Sequence, residues 1–241
     1  MLVFANTDIG MSRNMNQDYY YISNKTDLSI FILADGMGGY NGGEVASKIA
    51  VESARKYIEE NANKVQIGEK KITDILKSAT SYANNTVYEI SKENKNLEEM
   101  GTTLEICLIY NNIIYISHIG DSRVYSIIDD NVKRLTIDHS YVEKLVSDGT
   151  ITREEAENHP KKHVLIKALG CLPEIEPDIV EKKLEKNEII VICSDGLTNM
   201  LKDEKIKDIV INNKENPEIE LIKEANLAGG YDNITAIIIR Q

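Results

Sequence analysis

The chain has 241 residues, with 28 Lys and Arg against 39 Asp and Glu, which gives a formal net charge of −11. Its length is sufficient for one large domain or two small ones with a sizeable core. The negative charge argues against binding to nucleic acid or to an anionic membrane, and no run approaches the roughly 18 apolar residues that cross a bilayer. A phosphorylated substrate would need local positive charge from metal ions or a placed arginine.

Eight short runs rich in Ile, Val and Tyr, bounded by Gly, Asn and Asp, predict β-strands. They cover residues 2–7, 19–23, 29–34, 103–110, 113–119, 123–129, 188–193 and 235–240. Asn111-Asn112 predicts a tight hairpin because asparagine tolerates positive φ, and Asp129-Asp130-Asn131 predicts another. We therefore expect antiparallel pairing through the middle of the chain.

Apolar residues at three- and four-residue spacing predict helices between these strands. The predicted helices cover residues 43–61, 72–95, 141–147, 153–158, 203–212 and 217–228. The first two lie between the third and fourth strands and fit a helical layer on one sheet face. Because strands lie at both ends of the chain, we expect one α+β domain over 1–241, with residues 138–170 as a surface insertion.

The three cysteines, Cys107, Cys171 and Cys193, have no partner at metal-ligand or redox spacing. We expect them to be buried and reduced, as in a cytoplasmic protein. The apolar segment after Met1 is too short for a signal peptide. The sequence therefore predicts a soluble cytoplasmic protein, and because nothing in it indicates an oligomer, a monomer.

Three aspartates flank apolar runs: Asp35 and Asp195 each follow a run and precede a glycine, and Asp232 precedes a run. A carboxylate at the end of a buried strand is unfavourable unless it is paired. Each one alone could be an ordinary turn residue. Their repetition without matching bases favours a hard divalent cation with oxygen ligands, and hence a metal-dependent hydrolase. Asn233 could orient Asp232 through a side-chain hydrogen bond.

Further motifs occur in a fixed order from about residue 7 to residue 235. They are Arg13, Asn16-Gln17-Asp18, Asp35-Gly36-Met37-Gly38-Gly39, Gly42-Gly43-Glu44, Gly101-Thr102-Thr103, Gly120-Asp121-Ser122-Arg123, Asp138-His139-Ser140, Ala168-Leu169-Gly170, Ser194-Asp195-Gly196-Leu197 and Gly230-Tyr231-Asp232-Asn233. In this order they make the chain similar to the metal-dependent protein phosphatases (PPM, type 2C), in particular the minimal bacterial serine/threonine phosphatases.

The resemblance implies a four-layer αββα sandwich, in which two antiparallel sheets are flanked by helices and a metal cleft lies at one end. It also implies two Mn²⁺ or Mg²⁺ ions bridged by Asp35. Asp195 and Asp232 would bind one ion, and the Gly36 carbonyl would bind the other. Two such ions acidify a water and clamp an in-line displacement at phosphorus.

Three further roles follow from the same resemblance. Asp121, assisted by Asp195, would bind the third ion that bacterial members often hold. Asp18 would hold water at the metals. Arg13 would bind the phosphate oxygens, for which its guanidinium offers a bidentate fork.

Two positions depart from the family pattern. Met37 and Tyr40 stand where some relatives carry a histidine that has been assigned protonation of the leaving group. The general acid is therefore open, with a water near Asp121 as one candidate. Gln17 replaces a glutamate found in many relatives, which predicts a weaker water contact.

The histidines and the insertion carry weaker expectations. His118 is predicted to be buried and hydrogen-bonded, and His139 is as compatible with a structural turn as with catalysis. The resemblance identifies residues 138–170 as a flap beside the cleft. Replacing Lys161 and Lys162 by Ala is expected to alter preference among phosphopeptides while leaving turnover of small aryl phosphates nearly intact.

The leading hypothesis is hydrolysis of phosphoserine and phosphothreonine in proteins by a metal-activated water, opposing a serine/threonine kinase in bacterial signalling. One alternative is a phosphatase-fold regulatory protein that binds a partner without activity. The presence of Asp35, Asp195 and Asp232 argues against it, since such proteins generally lose these residues. A phosphoesterase acting on small molecules is the other alternative, and small phosphorylated metabolites stay open as substrates.

Overall fold

The computed structural model describes residues 1–25, 27–38, 42–66 and 68–241, without the side chain of Gln66. Eleven β-strands lie in this part of the chain. They are β1 (Leu2–Asp8), β2 (Asp18–Ser23), β3 (Ser29–Met37), β4 (Gly101–Thr102), β5 (Leu104–Tyr110), β6 (Ile113–Ile119), β7 (Arg123–Ile128), β8 (Asn131–Arg134), β9 (Asp178–Lys183), β10 (Ile189–Cys193) and β11 (Ile234–Arg240).

The strands form two antiparallel sheets. The first has five strands in the order β1-β11-β10-β7-β8, and the second has six, in the order β2-β3-β5-β6-β9 with β4 paired to the end of β3. β1 pairs with β11 over its whole length, from Leu2 opposite Arg240 to Asp8 opposite Ile234. The strands at the two ends of the chain therefore share one sheet.

Seven α-helices and one short 3₁₀ helix (Lys95–Leu97) lie in the described residues. The α-helices are α1 (Gly42–Gln66), α2 (Ile72–Glu93), α3 (Tyr141–Ser147), α4 (Arg153–Glu157), α5 (Asp195–Thr198), α6 (Asp203–Asn212) and α7 (Pro217–Leu227). Side chains cap the two helices of the insertion: Ser140 accepts from the amide of Glu143, and Thr152 forms a capping box with Glu155.

The central strands bury both faces, and this explains their nearly continuous apolar sequences. Along β3, Phe31 and Leu33 pack between the two sheets, whereas Ile30 and Ile32 pack beneath the helices α1 and α2. Successive side chains of a strand point to opposite faces, so each face needs its own apolar residues. β11 repeats this arrangement, with Ile237 between the sheets.

Helices cover the outer face of each sheet. α1 and α2 pack on the second sheet through residues such as Ala50 and Leu76, and α6 and α7 pack on the first sheet through residues such as Ile206 and Leu221. These side chains are fully buried. The molecule is thus a four-layer αββα sandwich, and the predicted fold class is confirmed.

Two tight turns were also predicted correctly. Asn111 and Asn112 join β5 to β6 with φ angles of 48° and 62°, and Asp129 and Asp130 join β7 to β8 with φ angles of 45° and 69°. Positive φ at both central residues gives the twist that a two-residue hairpin requires.

Three strands were missed, namely β4, β8 and β9. β8 and β9 lie at sheet edges, so each has one bonded neighbour and exposed charged residues such as Lys133 and Glu181. β4 has only two residues. β3 also extends three residues beyond its predicted end, so that Asp35 lies within the strand and not after it.

The cysteines follow the prediction in part. Cys107 and Cys193 are buried in strands, but Cys171 is exposed, so the prediction of a buried thiol is wrong at that position. Cys171 lies outside any regular element, directly after Gly170, and no apolar run encloses it.

The segment 138–170 contains α3 and α4. An isolated bridge between Ser140 and Leu165 joins its two ends to each other, and a bridge between Leu169 and Thr102 ties it to the body. The assignment of this segment as a flap on a single domain stays a prediction. Among the described residues, no helix has the length and apolar character needed to span a membrane.

Candidate active site

Five aspartates from distant parts of the chain converge at one place. Asp18 and Asp35 lie opposite each other on β2 and β3. Asp195 begins α5 two residues after the end of β10, Asp232 lies two residues before the start of β11, and Asp121 lies between β6 and β7. The charges of the other four all raise the pKa of Asp35, which places them within electrostatic reach of it.

The glycines after Asp35 and Asp195 permit close backbone approach. A Cβ atom on Gly36 would lie 2.0 Å from the carbonyl oxygen of Gly43, at the start of α1. A Cβ on Gly196 would lie 2.0 Å from the carbonyl oxygen of Asn233. Both Asp-Gly pairs therefore lie where another loop presses against the strand end, and a side chain at either glycine would push the aspartates apart.

The backbone of Asp35 is fixed by the threonines of Gly101-Thr102-Thr103. Its amide donates to Thr103 Oγ1, and its carbonyl accepts from Thr102 Oγ1, each at 2.9 Å. Thr103 Oγ1 also shares a 2.9 Å hydrogen bond with the hydroxyl of Ser122, the residue after Asp121. A chain of buried hydroxyls therefore holds the Asp35 and Asp121 positions relative to each other.

Asp18 is the most deeply buried of the five carboxylates, with 7% of its surface exposed. Its Oδ2 accepts from Ser194 Oγ at 2.7 Å and from Thr235 Oγ1 at 2.6 Å. Burial, together with the charges of Asp195 and Asp232, raises its pKa to about 7 against the effect of these two hydrogen bonds. Its other oxygen, Oδ1, is buried and has no partner among the described residues.

Asp35 and Asp195 are close enough that each affects the pKa of the other. Burial is the main cause that raises the pKa of each, and neighbouring carboxylates add to it: chiefly Asp18 for Asp35, and Asp232 for Asp195. Asn199 donates to Asp195 Oδ2 at 2.9 Å, whereas Asp195 Oδ1 is buried without a partner in the described part of the chain.

Asp121 belongs to the same group. Burial raises its pKa well above the usual range, and the charges of Asp195 and Asp138 raise it further, while Arg123 opposes them. Carboxylates that are both desolvated and surrounded by like charge favour either a proton or a cation. The group thus carries more negative charge than the nearby bases compensate.

Asp232 differs because it has a cationic partner. Arg13 Nη2 donates to Asp232 Oδ2 at 2.7 Å, and the Arg13 side chain is half exposed. The other guanidinium nitrogens of Arg13 have no hydrogen bond to any residue that the structure describes. Arg13 therefore lies at the rim of the carboxylate group with donors available to solvent.

Asn233 contacts its neighbour differently from the prediction. Its backbone amide, and not its side chain, donates to Asp232 Oδ1 at 2.8 Å. The side chain instead accepts from the Gln17 amide and donates to the carbonyls of Ile9 and Met15. Asn233 therefore holds residues 9–17, the loop that carries Arg13, next to the start of β11. The predicted side-chain hydrogen bond from Asn233 to Asp232 is wrong.

The donor set fits hard divalent cations. The aspartates supply oxygen atoms, two of which are buried without partners, and such ions prefer carboxylate, carbonyl and water ligands. Within the described residues, no three Asp, Glu, His or Cys side chains already surround one cation-sized position. Magnesium-type ions keep several waters, so few protein ligands suffice.

His118 and His139 stack on each other beside Gly120, the residue before Asp121. As predicted, His118 is buried; its Nδ1 contacts Glu105, and its Nε2 lies 2.7 Å from the Ile137 carbonyl. His139 stacks on His118 with ring centroids 4.5 Å apart, and its Nδ1 accepts from the Gly120 amide. Burial lowers the pKa of His139 to about 4, so it is neutral at pH 7. These contacts favour the structural alternative for His139.

Met37 and Tyr40 occupy the two positions where some relatives carry a histidine. Met37 ends β3 and carries no titratable group. Tyr40 lies outside the described residues, as does Gly39 of the same motif.

The comparisons with known proteins agree with this geometry. A family model described as Protein phosphatase 2C matches residues 11–216. The chain belongs to this family. It is similar to Protein phosphatase PhpP of Streptococcus pneumoniae, with 35% identity over 238 residues that cover 97% of this chain and 94% of that protein.

Solved structures of the phosphatase family give the same result. The serine/threonine phosphatase PstP/Ppp of Mycobacterium tuberculosis superimposes with a TM-score of 0.88 and 31% identity, covering 98% of this chain and 97% of that one. The catalytic domain of PstP, solved in complex with two manganese ions, superimposes with a TM-score of 0.84. The identity is 30%, and the match covers 98% of this chain and 96% of that one. The predicted resemblance to the type 2C serine/threonine phosphatases is confirmed.

Sequence reasoning missed the hydroxyl groups that hold the carboxylates. Ser194, Ser122 and Thr103 lie within the phosphatase motifs, Thr235 lies two positions after one, and all four are buried. Each is adjacent to a singled-out residue or only two positions from one, and that adjacency was the available signal. A hydroxyl next to an aspartate is common in ordinary turns, so its presence in the sequence does not favour this role.

Proposed function

We propose that this chain is a Mn²⁺- or Mg²⁺-dependent enzyme that hydrolyses phosphoserine and phosphothreonine in proteins. The observation that carries the proposal is the carboxylate group at one end of the sandwich. Asp18, Asp35, Asp121 and Asp195 have pKa values raised by burial and by neighbouring negative charge, and an exposed guanidinium, Arg13, lies beside them. Compensation by bound cations is what such a group requires.

The residues divide between two core ions and a third. Asp35 would contact both core ions, Asp195 and Asp232 would complete one of them, and the Gly36 carbonyl would serve the other. Asp121, with Asp195, would hold a third ion. The bound ions would supply charge neutralisation for phosphoryl transfer and would acidify a water. The two manganese ions of the related PstP structure support the two core ions.

Other residues of the chain bind the substrate and orient water. Arg13 would donate from its available guanidinium nitrogens to two phosphoryl oxygens, in the fork geometry that suits phosphate. Asp18, fixed at Oδ2 by Ser194 and Thr235, would accept a hydrogen bond from water at Oδ1. No cysteine lies at the site, so direct attack by water is the expected chemistry.

The cellular setting is also proposed. A phosphatase of this kind would oppose a cognate serine/threonine kinase in bacterial signalling, and it would act as a cytoplasmic monomer, with one catalytic domain and a flap at 138–170. Three free cysteines support a reducing compartment. The relatives named as serine/threonine phosphatases support phosphoproteins as substrates.

The test is a manganese-dependent assay with para-nitrophenyl phosphate and a phosphothreonine peptide, run with Asp35→Asn and Asp232→Asn beside the natural protein. We expect activity that chelation abolishes and that both variants lose. Equal activity with and without chelator would contradict the proposal. A panel of phosphorylated metabolites separates the alternative: a kcat/KM for one of them well above that of the peptide would favour a small-molecule phosphoesterase.

A further inference from the structure

A cavity of about 770 Å³ lies between the segment 138–170 and the body of the molecule. We call it the flap cavity and define it by Asp121, Asp138, Lys162, Asp195 and Lys202, which line it from different elements. Since Asp121 and Asp195 belong to the carboxylate group, the flap cavity is continuous with the candidate active site. A polypeptide whose phosphorylated residue lies at the active site can place a neighbouring side chain there.

Several charges that line the flap cavity are already paired. Arg123 and Arg134 both bind Asp138, with shortest nitrogen–oxygen distances of 2.8 and 2.6 Å. Arg153 forms a two-pronged ion pair with Glu143. These three arginines have their donors directed to carboxylates of the protein, so they are poor candidates for binding an external anion.

Three basic side chains of the flap cavity have no such partner. Lys162 and His163 come from the flap, and Lys202 comes from the opposite wall, directly before α6. All three are exposed, and none forms an ion pair or a side-chain hydrogen bond with the residues that the structure describes. His163 lies near enough to Asp195 to lower the pKa of that carboxyl. Positive charge thus lines the flap cavity from both sides.

Negative charge in the flap cavity is weaker than its composition suggests. Asp138 and Glu143 are ion-paired, and Asp203 accepts a 2.8 Å hydrogen bond from Tyr125. Asp121 and Asp195 would be compensated by cations under the proposed function. Glu157, exposed at the end of α4, is the lining carboxylate that remains without an ion pair among the described residues. Among the described lining residues, Lys162, His163 and Lys202 are the basic side chains without an ion pair, and they outnumber this one carboxylate.

We propose that the flap cavity binds a second anionic group of the substrate, carried by a side chain close to the phosphorylated residue. The group is a carboxylate or a phosphate, and Lys162 and Lys202 are its binding residues. This proposal rests on the proposed function and adds a substrate preference to it: phosphoproteins with an acidic or a second phosphorylated residue near the target. The chain is acidic overall, so local cations of this kind are needed to attract such substrates.

The two adjacent lysines of the flap differ in position, and this supplies a matched control. Lys161 does not line the cavity; its ammonium group lies 5.2 Å from the centre of the Tyr141 ring, as in a cation–π contact. Lys205 in α6, three residues after Lys202, forms an ion pair with Glu224 at 2.9 Å and does not line the flap cavity. Sequence reasoning treated Lys161 and Lys162 alike, whereas the structure separates them.

The experiment compares phosphothreonine peptides that differ at one neighbouring position. That position carries Gln, Glu or a non-hydrolysable phosphonate analogue of phosphoserine, placed in turn one to four residues on either side. We expect the manganese-loaded natural protein to prefer the acidic peptides, in kcat/KM, by roughly three- to tenfold at the best position, since each partly exposed ion pair contributes up to about 1 kcal/mol. The Glu and phosphonate arms distinguish the two sources of the anion.

Lys162→Ala and Lys202→Ala should each reduce this preference, and the double variant should reduce it to near parity. Lys161→Ala and Lys205→Ala should keep it. The preference should also weaken as salt increases. With an enzyme that turns over para-nitrophenyl phosphate, equal kcat/KM for all peptides, or a preference that the double variant retains, would overturn the assignment. Absence of aryl-phosphate turnover would instead contradict the proposed function itself.

Discussion

Asp138 and the Asp35–Asp195 pair belong to one end of the molecule but have opposite surroundings. Asp138 is bound by Arg123 and Arg134, so both of its oxygens have cationic partners. Asp35 and Asp195 face each other and further carboxylates, and burial with this like charge raises their pKa values. A carboxylate that is already neutralised by arginine stabilises the fold, whereas one without a base is available to a cation.

The comparison also shows why motif position alone is a poor guide to role. Asp138-His139-Ser140 and Ser194-Asp195-Gly196 are both phosphatase motifs. The first organises structure: Asp138 gathers two arginines, His139 stacks on His118, and Ser140 caps α3. The second presents a carboxylate to the cleft. The two roles make different predictions for activity and for stability.

The largest effect is expected for Asp35→Asn. The substitution keeps the shape of the side chain but removes the charge that both proposed core ions would share. We expect kcat/KM to fall by on the order of a thousandfold, equivalent to about 4 kcal/mol. Stability in chelator should not fall, because one repulsive buried charge is removed. Phosphopeptide turnover and thermal unfolding of the same sample check both parts. Full activity in Asp35→Asn would refute its assignment.

Asp138→Asn should show the reverse pattern. Removing the carboxylate leaves two partly buried arginines without their shared partner, which should reduce the free energy of unfolding by about 3 kcal/mol. Denaturant unfolding measures this loss, with Asp148→Asn, at an exposed position after α3, as control. If Asp138→Asn is as stable as the control, the proposed contrast between the two carboxylates fails.

Arg13 is expected to have a smaller effect, confined to phosphate binding. Arg13→Ala should lower kcat/KM by roughly 30-fold, about 2 kcal/mol, since it removes charge-assisted hydrogen bonds. Arg13→Lys should recover part of the loss, because it restores the charge without the planar fork. Steady-state kinetics with para-nitrophenyl phosphate provide the measurement. An unchanged KM and kcat in Arg13→Ala would show that this arginine is only a surface cation.

The smallest effect is a difference in pH dependence. The pKa of Asp18 is about 7 in the folded protein, above its ordinary value of 3.8, so its stabilising contribution is complete below pH 4 and is lost as the pH rises through 7. In chelator, the unfolding temperature should therefore fall between pH 5.5 and 8.5. Asp18→Asn removes this titration and should reduce the fall by roughly 3–6 °C, or about 1–2 kcal/mol.

A matched measurement with Mn²⁺ sharpens that result. The ion competes with protons for the same carboxylates, so it should stabilise the natural protein more at pH 8.5 than at pH 5.5. An unfolding temperature in chelator that rises with pH would contradict the description of the carboxylate group given above.

The sequence was sufficient to predict the central strands of the sheets but not the edge strands β8 and β9. β3 and β11 are buried on both faces, so most positions in them are apolar and the strands are recognisable from the sequence. β9, in contrast, lies at an edge and has the sequence of a charged loop, and it is a strand only because β6 provides its hydrogen bonds. Residues such as Asp178 and Glu181 carry no local signal of that partner.

The candidate site shows the same division. The aspartates were found because several of them recur beside glycines and apolar runs. The contacts of Asn233 were not predicted, because its side-chain amide bonds to Gln17, Ile9 and Met15, more than 200 positions away in the chain. The difference between Lys161 and Lys162 likewise depends on the Tyr141 ring and on the far wall of the flap cavity. Such pairings are tertiary, and one sequence does not encode them locally.

The pairing of β1 with β11 has a consequence for protein synthesis. β1 lies at the edge of its sheet and bonds only to β11, the strand that directly follows Asp232 and Asn233. At a translation rate of roughly 10 residues per second, a nascent chain carries β1 without a neighbour for roughly 20 s. Formation of β11 thus gives β1 its neighbour and brings Asp232 to the other aspartates in the same step, so the nascent chain lacks part of the candidate site until β11 has been synthesised.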